Sequence, residues 1–297
     1  MKKLKIGYFA DGPWSHAAFE KIQKDPEIEI AFIVPRSDTK DETLKRFSTR
    51  YGIDYLFPVK INDFEFIEKV KSYSCDLFVS MSFNQIFRKE ILGIPRLKTI
   101  NCHAGKLPFY RGRNILNWAL INDEKEFGIT VHFIDEGIDT GDIILQRTYP
   151  ITDNDNYKTL LETSYQECAD ILYDAIKLIQ EDKIKPISQQ NIDPVGFYCG
   201  RRGQGDEIIN WNQSSREIFN FIRAICSPGP MATSSIKGKE VKINASRLID
   251  GVQTYKGKPG QILSKTKEGF LIKTQDTFIE ILEITSEEQL KVGEVLK

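Results

Sequence analysis

The sequence predicts an α/β protein in which a doubly wound, mostly parallel sheet is followed by a smaller β-rich domain. Strand-like and helix-like segments alternate over the first two-thirds of the 297 residues. Such alternation is typical of a parallel sheet that is covered by helices on both faces. The last third contains short strand-like segments separated by glycine, which is the pattern of a small open β-barrel.

In the first part, short apolar runs predict strands, and apolar residues at three- and four-residue steps predict helices. The predicted strands are 3–10, 28–34, 75–81, 98–103 and 128–135. The predicted helices are 13–24, 41–52, 63–73, 88–94, 113–122 and a long amphipathic helix at 155–182. In a sheet of this kind, ligands bind beyond the carboxyl ends of the strands.

The composition changes after about residue 185, where Pro, Gly and polar residues at 186–207 predict a linker or an ordered loop. A helix is predicted at 213–225, with Ser214 or Ser215 as its N-cap. Strand-like segments follow at 231–236, 239–246, 260–266, 269–274 and 277–285. We therefore expect a Rossmann-like catalytic domain at 1–200 and an OB-like domain at 201–297.

Composition and charge narrow the class of function. The formal net charge of −1 gives no overall attraction to nucleic acid, although it does not exclude a local basic patch. The five cysteines are scattered and form no CxxC pair, which argues against a disulfide framework or a zinc site and predicts a reducing cytoplasm. No apolar run approaches the roughly 20 residues of a membrane span. The N-terminus is interpreted as a first strand and not as a signal peptide.

Two common nucleotide-binding motifs are missing from the sequence. The first βα turn, FADGPWSH, lacks the GxGxxG pattern, and no strand leads into the glycine-rich GRRGQG at 200–205. There is also no P-loop and no His-rich metal spacing. We therefore expect neither an NAD enzyme nor a P-loop NTPase, and no metal.

Polar side chains follow two of the predicted strands. Asn101 and His103 share one face at the carboxyl end of the strand 98–103, whereas Cys102 points to the other face. The strand 128–135 leads into a loop that carries Asp139, which can approach the first pair if the strands are neighbours. An amide, an imidazole and a carboxylate in one cleft suit acyl transfer, because they can stabilise an oxyanion and move a proton. No Ser or Cys lies in a nucleophile elbow, so we expect direct transfer without a covalent enzyme intermediate.

Two segments, INCHAGKLPFYRG and GITVHFIDEGIDTGDIILQ, resemble the folate-dependent formyltransferases. The family motif is N-x-H, with an Asp placed seven residues after a second histidine; here these are Asn101, His103, His132 and Asp139. The segment that begins YCGRRGQGDEIINW also resembles the family's linker and the start of its C-terminal domain. The resemblance implies an N-formyltransferase that uses N10-formyltetrahydrofolate, in which Asn101 and protonated His103 stabilise the oxyanion and Asp139 helps to remove the amine's proton.

The resemblance also implies where the folate binds. The loop SMSFNQIF at 80–87 corresponds to the family's pterin-binding loop. The residues expected to contact the folate are Ser82, Phe83, Asn84, Gln85, Ile86 and Asp135.

The sequence also bears on which substrate carries the amine that accepts the formyl group. The family's tRNA enzymes look like HASLLPRWRGAAP where this chain reads HAGKLPFYRGRNILNW, and RGRNILNWALIN resembles the enzymes that formylate nucleotide-linked amino sugars. We expect a nucleotide-linked amino sugar, with dTDP-4-amino-4,6-dideoxyglucose for surface polysaccharide (lipopolysaccharide O-antigen) as the best candidate. Cationic side chains can meet its diphosphate, and an aromatic ring can stack on its base or sugar. The expected substrate residues are Gly12, Trp14, Lys106, Arg111 and Arg202.

Several alternatives stay open at this point. The first is a methionyl-tRNA formyltransferase, and the second is an enzyme specific for UDP-aminoarabinose. A formyltetrahydrofolate deformylase would use water as acceptor, but that family carries a regulatory domain before the catalytic one, and here the catalytic sheet is expected to begin at once. A non-enzymatic folate- or nucleotide-sugar-binding protein is the remaining class. We expect no membrane or nucleic-acid partner, and a homodimer.

Overall fold

The computed structural model describes residues 3–297, which divide into two compact units. The first unit runs to Gly112 and also contains Phe127–Tyr149 and Glu162–Cys199. The second unit consists of Arg113–Glu126, Pro150–Leu161 and Gly200–Lys297. Both units are therefore assembled from segments that are distant in sequence.

Within residues 3–297 the helices agree closely with the sequence pattern. In chain order they are α1 (Pro13–Gln23), α2 (Thr43–Tyr51), α3 (Phe64–Lys71), α4 (Lys89–Leu92), α5 (Ile115–Ile121), α6 (Tyr157–Gln180) and α7 (Ser215–Ile225), with a single 3-10 turn at Gln189–Asn191. Among these residues no helix combines the length and apolarity that a membrane span requires.

The strands in the same part of the chain are β1 (Leu4–Ala10), β2 (Ile28–Val34), β3 (Asp54–Tyr55), β4 (Leu77–Met81), β5 (Thr99–His103), β6 (Arg111–Gly112), β7 (Glu126–Phe133), β8 (Ile143–Pro150), β9 (Tyr198–Cys199), β10 (Ala232–Ile236), β11 (Lys239–Ile243), β12 (Ser246–Arg247), β13 (Ile262–Lys265), β14 (Phe270–Lys273), β15 (Phe278–Ile281) and β16 (Ile284–Ser286).

The large sheet has the order β3-β2-β1-β4-β5-β7-β8. Pairing is parallel from β3 through β5, and β7 runs antiparallel to β5. The predicted mostly parallel sheet is thus confirmed. Strand β8 was not predicted. In its second half apolar and polar residues do not alternate regularly, and the polar side chains lie at the edge of the sheet.

An aromatic cluster fills one side of this sheet in the first unit. Phe9 lies at its centre, with ring centroids 5.6 Å from Phe32, 5.2 Å from Phe78 and 5.0 Å from Phe87 in edge-to-face contacts. Such contacts stabilise the core beyond the area that they bury. Because Phe83 packs against the same cluster, the core also anchors the loop after β4.

The other side of β5 is covered by α6. The thiol of Cys102 lies 3.7 Å from the carbonyl of Cys168 in that helix, and both residues are buried. This contact confirms that Cys102 faces away from Asn101 and His103, as strand alternation predicts. All five cysteines are free.

The second unit contains the predicted β-rich fold. Its sheets have the orders β10-β11-β16 and β12-β15-β14-β13, with antiparallel pairing. Helix α7 is preceded by the N-cap residue Ser214, whose hydroxyl and backbone form a capping box with Glu217. The side chain of Asn117 in α5 donates to the carbonyl of Ala224 in α7 at 2.6 Å, so α5 packs on α7 within this unit.

Candidate active site

The candidate site lies at the carboxyl end of β5, beside β7. The two strands are neighbours, as the sequence argument required, and their register places Asn101 opposite His132. The loop that follows β7 then brings Asp139 to the end of β5. Adjacent strands and one return loop therefore bring together all four residues of the predicted motif.

Asn101 and His132 contact each other directly. The ring Nδ1 of His132 lies 2.8 Å from the carbonyl of Phe133, which can only accept, so this nitrogen carries a proton. The other ring nitrogen, Nε2, lies 3.2 Å from Nδ2 of Asn101. In the neutral ring Nε2 accepts from the amide, and Asn101 keeps its second N–H for a bound oxygen.

His103 lies between two acceptors. Its Nε2 donates to the carbonyl of Tyr110 at 2.7 Å, and its Nδ1 lies 3.7 Å from Oδ2 of Asp139. The second distance is within ion-pair range but is longer than a hydrogen bond. The side chain keeps one-tenth of its surface exposed. Because Nε2 carries a proton toward Tyr110, Nδ1 can donate to a ligand oxygen when the ring is protonated.

Asp139 is held as a carboxylate. Burial by itself would raise its pKa, but the positive charges that the neighbouring His103 and His132 rings carry when protonated, together with the backbone N–H of Gly112, lower the pKa well below its usual range. The Gly112 N–H donates to Oδ2 at 2.9 Å, and Oδ1 lies 3.6 Å from Nε2 of His132. A carboxylate that stays ionised beside an imidazole can favour the protonated ring and can accept a proton from an attacking group.

The residues expected to bind folate form a loop that is tied to its neighbours. Ser82 has a left-handed backbone with φ +53°, and the Phe83 ring packs into the aromatic core. Asn84 Nδ2 donates to Asp38 at 3.0 Å. Gln85 Oε1 accepts from the N–H of Ile61 at 3.0 Å.

The two other expected folate residues differ in exposure and contacts. The side chain of Ile86 is mostly exposed. The carboxylate of Asp135 accepts from Gly137 N–H and from the hydroxyl of Thr140 at 2.6 Å. Asp135 therefore shapes the loop that carries Asp139.

The residues expected to bind the acceptor fall in different places. Gly12 has φ +68° at the start of α1, and the Trp14 ring packs edge-on against Tyr165 at 4.9 Å. Lys106 packs its stem over Gly128, where a Cβ would lie 2.8 Å from Lys106 Cα. In the second unit, the Arg202 guanidinium lies 5.5 Å from the Trp118 ring and 5.4 Å from the Phe221 ring.

Arg111 is buried, which the sequence did not predict. Its Nη2 and Nε donate to Oε1 of Gln189 at 2.7 and 3.1 Å, and its Nη1 lies 3.4 Å from the carbonyl of Val195. The expected contact with a diphosphate is not supported by this geometry, because the guanidinium donates inside the protein.

Sequence reasoning missed two residues next to the site. Gln189 lies in the segment interpreted as a linker, yet it is 2% exposed and contacts the loop of Asp139. Gly105 passes over the His103 ring, and a Cβ at this position would lie 2.7 Å from His103 Cδ2. The glycine in HAGKLP was the available signal for the second. In the chain from residue 3 onward, no three His, Cys, Asp or Glu side chains form a group that could hold a metal ion.

Residues 10–176 match the model of the formyl transferase family, and residues 203–294 match the model of the formyl transferase C-terminal domain. The chain therefore belongs to the formyl transferase family. The expected enzyme class is confirmed by this membership.

Relatives by sequence include methionyl-tRNA formyltransferases. The protein of Thermodesulfovibrio yellowstonii is 36% identical over 244 residues, which cover 82% of this chain and 76% of that protein. The protein of Clostridium acetobutylicum is 31% identical over 303 residues, which cover 99% of this chain and 96% of that protein.

Relatives by structure include sugar N-formyltransferases. The enzyme from Helicobacter canadensis, in complex with folinic acid and dTDP-3-aminofucose, has a TM-score of 0.72 at 24% identity and covers 96% of this chain and 100% of that chain. The sugar 3N-formyl transferase WlaRD, solved with dTDP and 5-N-formyl-THF, has a TM-score of 0.70 at 24% identity. The match covers 98% of this chain and 100% of that chain. These matches confirm the fold.

Proposed function

We propose that this enzyme transfers a formyl group from N10-formyltetrahydrofolate to the amino group of a nucleotide-linked amino sugar, with a dTDP-linked 4-amino-4,6-dideoxyglucose as the best candidate. The loop around His103 is the observation that carries the choice of acceptor. The family's tRNA enzymes resemble HASLLP here, whereas this chain has Gly105. A side chain at Gly105 would overlap the His103 ring, so this loop path is available only to glycine.

The proposed chemistry uses the three facing groups. The bound folate supplies an electrophilic formyl carbon, which the acceptor amine attacks. Asn101 and protonated His103 donate to the formyl oxygen as it gains negative charge. Asp139 accepts a proton from the amine, directly or through water. The bond between the formyl carbon and the folate nitrogen then breaks, and that nitrogen takes up the proton relayed from Asp139.

The loop after β4 fits the proposed folate site, because it carries polar atoms that lack partners. Asn84 donates to a carboxylate, which fixes its amide orientation and leaves Oδ1 as the free acceptor. Gln85 accepts from a backbone N–H, so its Nε2 is the free donor. Both free atoms are buried, and neither has a hydrogen-bond partner within residues 3–297. A buried acceptor and donor on adjacent residues match the polar edge of a pterin.

The charges after β2 also favour a small acceptor. Arg36 pairs with Asp38 at 2.9 Å, and Lys45 pairs with Glu42 at 3.3 Å. A surface that binds tRNA needs cations that are available to phosphates. In this segment, two of the five cations are instead paired with its own carboxylates.

Methionyl-tRNA formyltransferase is the second candidate, and the identities of 36% and 31% to such enzymes favour it. The test incubates the purified protein and N10-formyltetrahydrofolate with each acceptor in turn: the dTDP-4-amino sugar, UDP-aminoarabinose, charged initiator tRNA, and none. Formylated product is identified by mass spectrometry. We expect product with the dTDP-linked sugar; product with tRNA alone would reverse the choice, and folate turnover without acceptor would indicate a deformylase.

A further inference from the structure

We propose that Gln189 is a positioning residue for formyl transfer: its amide holds the loop of Asp139 so that the carboxylate faces His103. This inference rests on the proposed role of Asp139. Gln189 lies in the 3-10 turn of the segment 186–207, outside the N-x-H motif and its aspartate.

The first observation is the pair of hydrogen bonds from Gln189 to the loop. Its Nε2 donates to the carbonyl of Asp139 at 2.8 Å and to the carbonyl of Gly141 at 2.8 Å. These two carbonyls flank Thr140, so one side chain ties down both ends of the turn that carries Asp139. Gln189 itself is 2% exposed, and water therefore cannot replace it readily.

The second observation is that Arg111 determines which way the Gln189 amide points. A guanidinium only donates, so the amide atom that receives its two N–H groups must be Oε1. The amide nitrogen must then face the two carbonyls of the loop. The orientation follows from the chemistry of the partners, and Arg111 and Gln189 act as one unit.

The third observation is that Asp139 needs such support. Its backbone has φ +55°, a left-handed conformation that an L-residue adopts at a cost unless the surroundings hold it there. From the other side, the Gly112 N–H fixes Oδ2 of the carboxylate at 2.9 Å. Gly112 follows Arg111 in β6, so this short strand supports the loop directly through the Gly112 N–H and, by way of Gln189, through the Arg111 side chain.

The test is a double-mutant cycle between Gln189 and Asp139. Gln189→Met keeps the length of the side chain without its hydrogen bonds, and the exposed neighbour Gln190→Met is the matched control. We expect Gln189→Met to lower kcat about tenfold or more, because small misplacements of a reacting group are costly, while Gln190→Met leaves it unchanged. In an Asp139→Asn background, Gln189→Met should change kcat less than about twofold, since residues that act as a unit are not additive.

The proposal would be overturned if Gln189→Met lowered kcat by the same factor in the Asp139→Asn background as in the wild type. It would also be overturned if Gln189→Met kept the wild-type kcat. If Gln189→Met does not fold, Arg111→Lys replaces it in the same cycle, because a lysine cannot present the two-N–H fork. The cycle runs with whichever acceptor the wild-type enzyme turns over. Failure of the amino sugar as acceptor therefore stays distinct from failure of Gln189.

Discussion

The imidazole of His103 and the carboxylate of Asp139 face each other, with Nδ1 3.7 Å from Oδ2, at the carboxyl end of β5. Because β7 runs antiparallel to β5, its last residue, Phe133, lies opposite Ile100, and the loop after β7 folds back toward His103. One loop after β7 suffices to bring the carboxylate to the end of β5.

Loss of either partner should abolish most of the activity. We expect His103→Asn and Asp139→Asn each to lower kcat by about a hundredfold or more, because general acid–base and oxyanion groups have effects of that size. Steady-state rates of formyl transfer, with circular dichroism to confirm folding, measure the effect. His16→Asn is the matched control, since His16 pairs with Asp41 at the start of α1. Wild-type rates in both site variants would contradict the proposed mechanism.

The ionisation of Asp139 should appear in the stability of the protein. Its pKa is lowered from the usual 3.8, against the opposing effect of burial, by His103, His132 and Gly112. The contribution to stability is therefore present above about pH 4 and is lost as the pH falls below the unfolded value. The free energy of unfolding, measured by urea titration, should be higher for the wild type than for Asp139→Asn. This difference should be larger at pH 6 than at pH 3. A difference that does not change with pH would refute this assignment.

Gly105 should tolerate no side chain. We expect Gly105→Ala to lower kcat about tenfold or more, because the new methyl group displaces the His103 ring from its position. Gly93→Ala is the control, since a Cβ there meets only an ordinary contact of 3.4 Å with the carbonyl of Lys89. Equal activity of the two variants would remove the main argument for the acceptor class.

Asn84 should act on folate binding and not on the chemical step. Replacing it with alanine removes the free Oδ1, so the KM for N10-formyltetrahydrofolate should rise about tenfold, while kcat stays within about threefold. Titration of the folate at saturating acceptor separates the two parameters. If instead kcat falls at constant KM, the loop after β4 is not the folate site.

In the second unit, Lys273 should be a structural residue. Its side chain is fully buried, with Nζ donating to the carbonyls of Thr274 and Thr277 at 2.9 Å each and lying 4.2 Å from the centre of the Tyr255 ring. Lys273→Ala should destabilise by about 2–4 kcal/mol, through the cavity and the unpaired carbonyls. Lys273→Met keeps the stem and should cost about 1–2 kcal/mol, which chemical unfolding can measure. Equal stability of the alanine variant and the wild type would disprove this role.

The sequence by itself determined the alternation of elements, the face of β5 that carries Asn101 and His103, and the four motif residues. These features are local, because the spacing of apolar residues in a strand or helix and the spacing of a motif are visible within short stretches of sequence. Only the tertiary structure decided that Arg111 is buried, that Gly105 passes over His103, and that Gln189 supports Asp139. Gly105 is only two residues from His103, and its position over the ring is set by the conformation of the loop. The burial of Arg111 and the support of Asp139 depend instead on segments far apart in the chain, as the contacts of Gln189 with Arg111 and with Asp139 show. No local pattern encodes such contacts, because they form only when β6 and β9 pair and bring the segment 186–199 back to the loop.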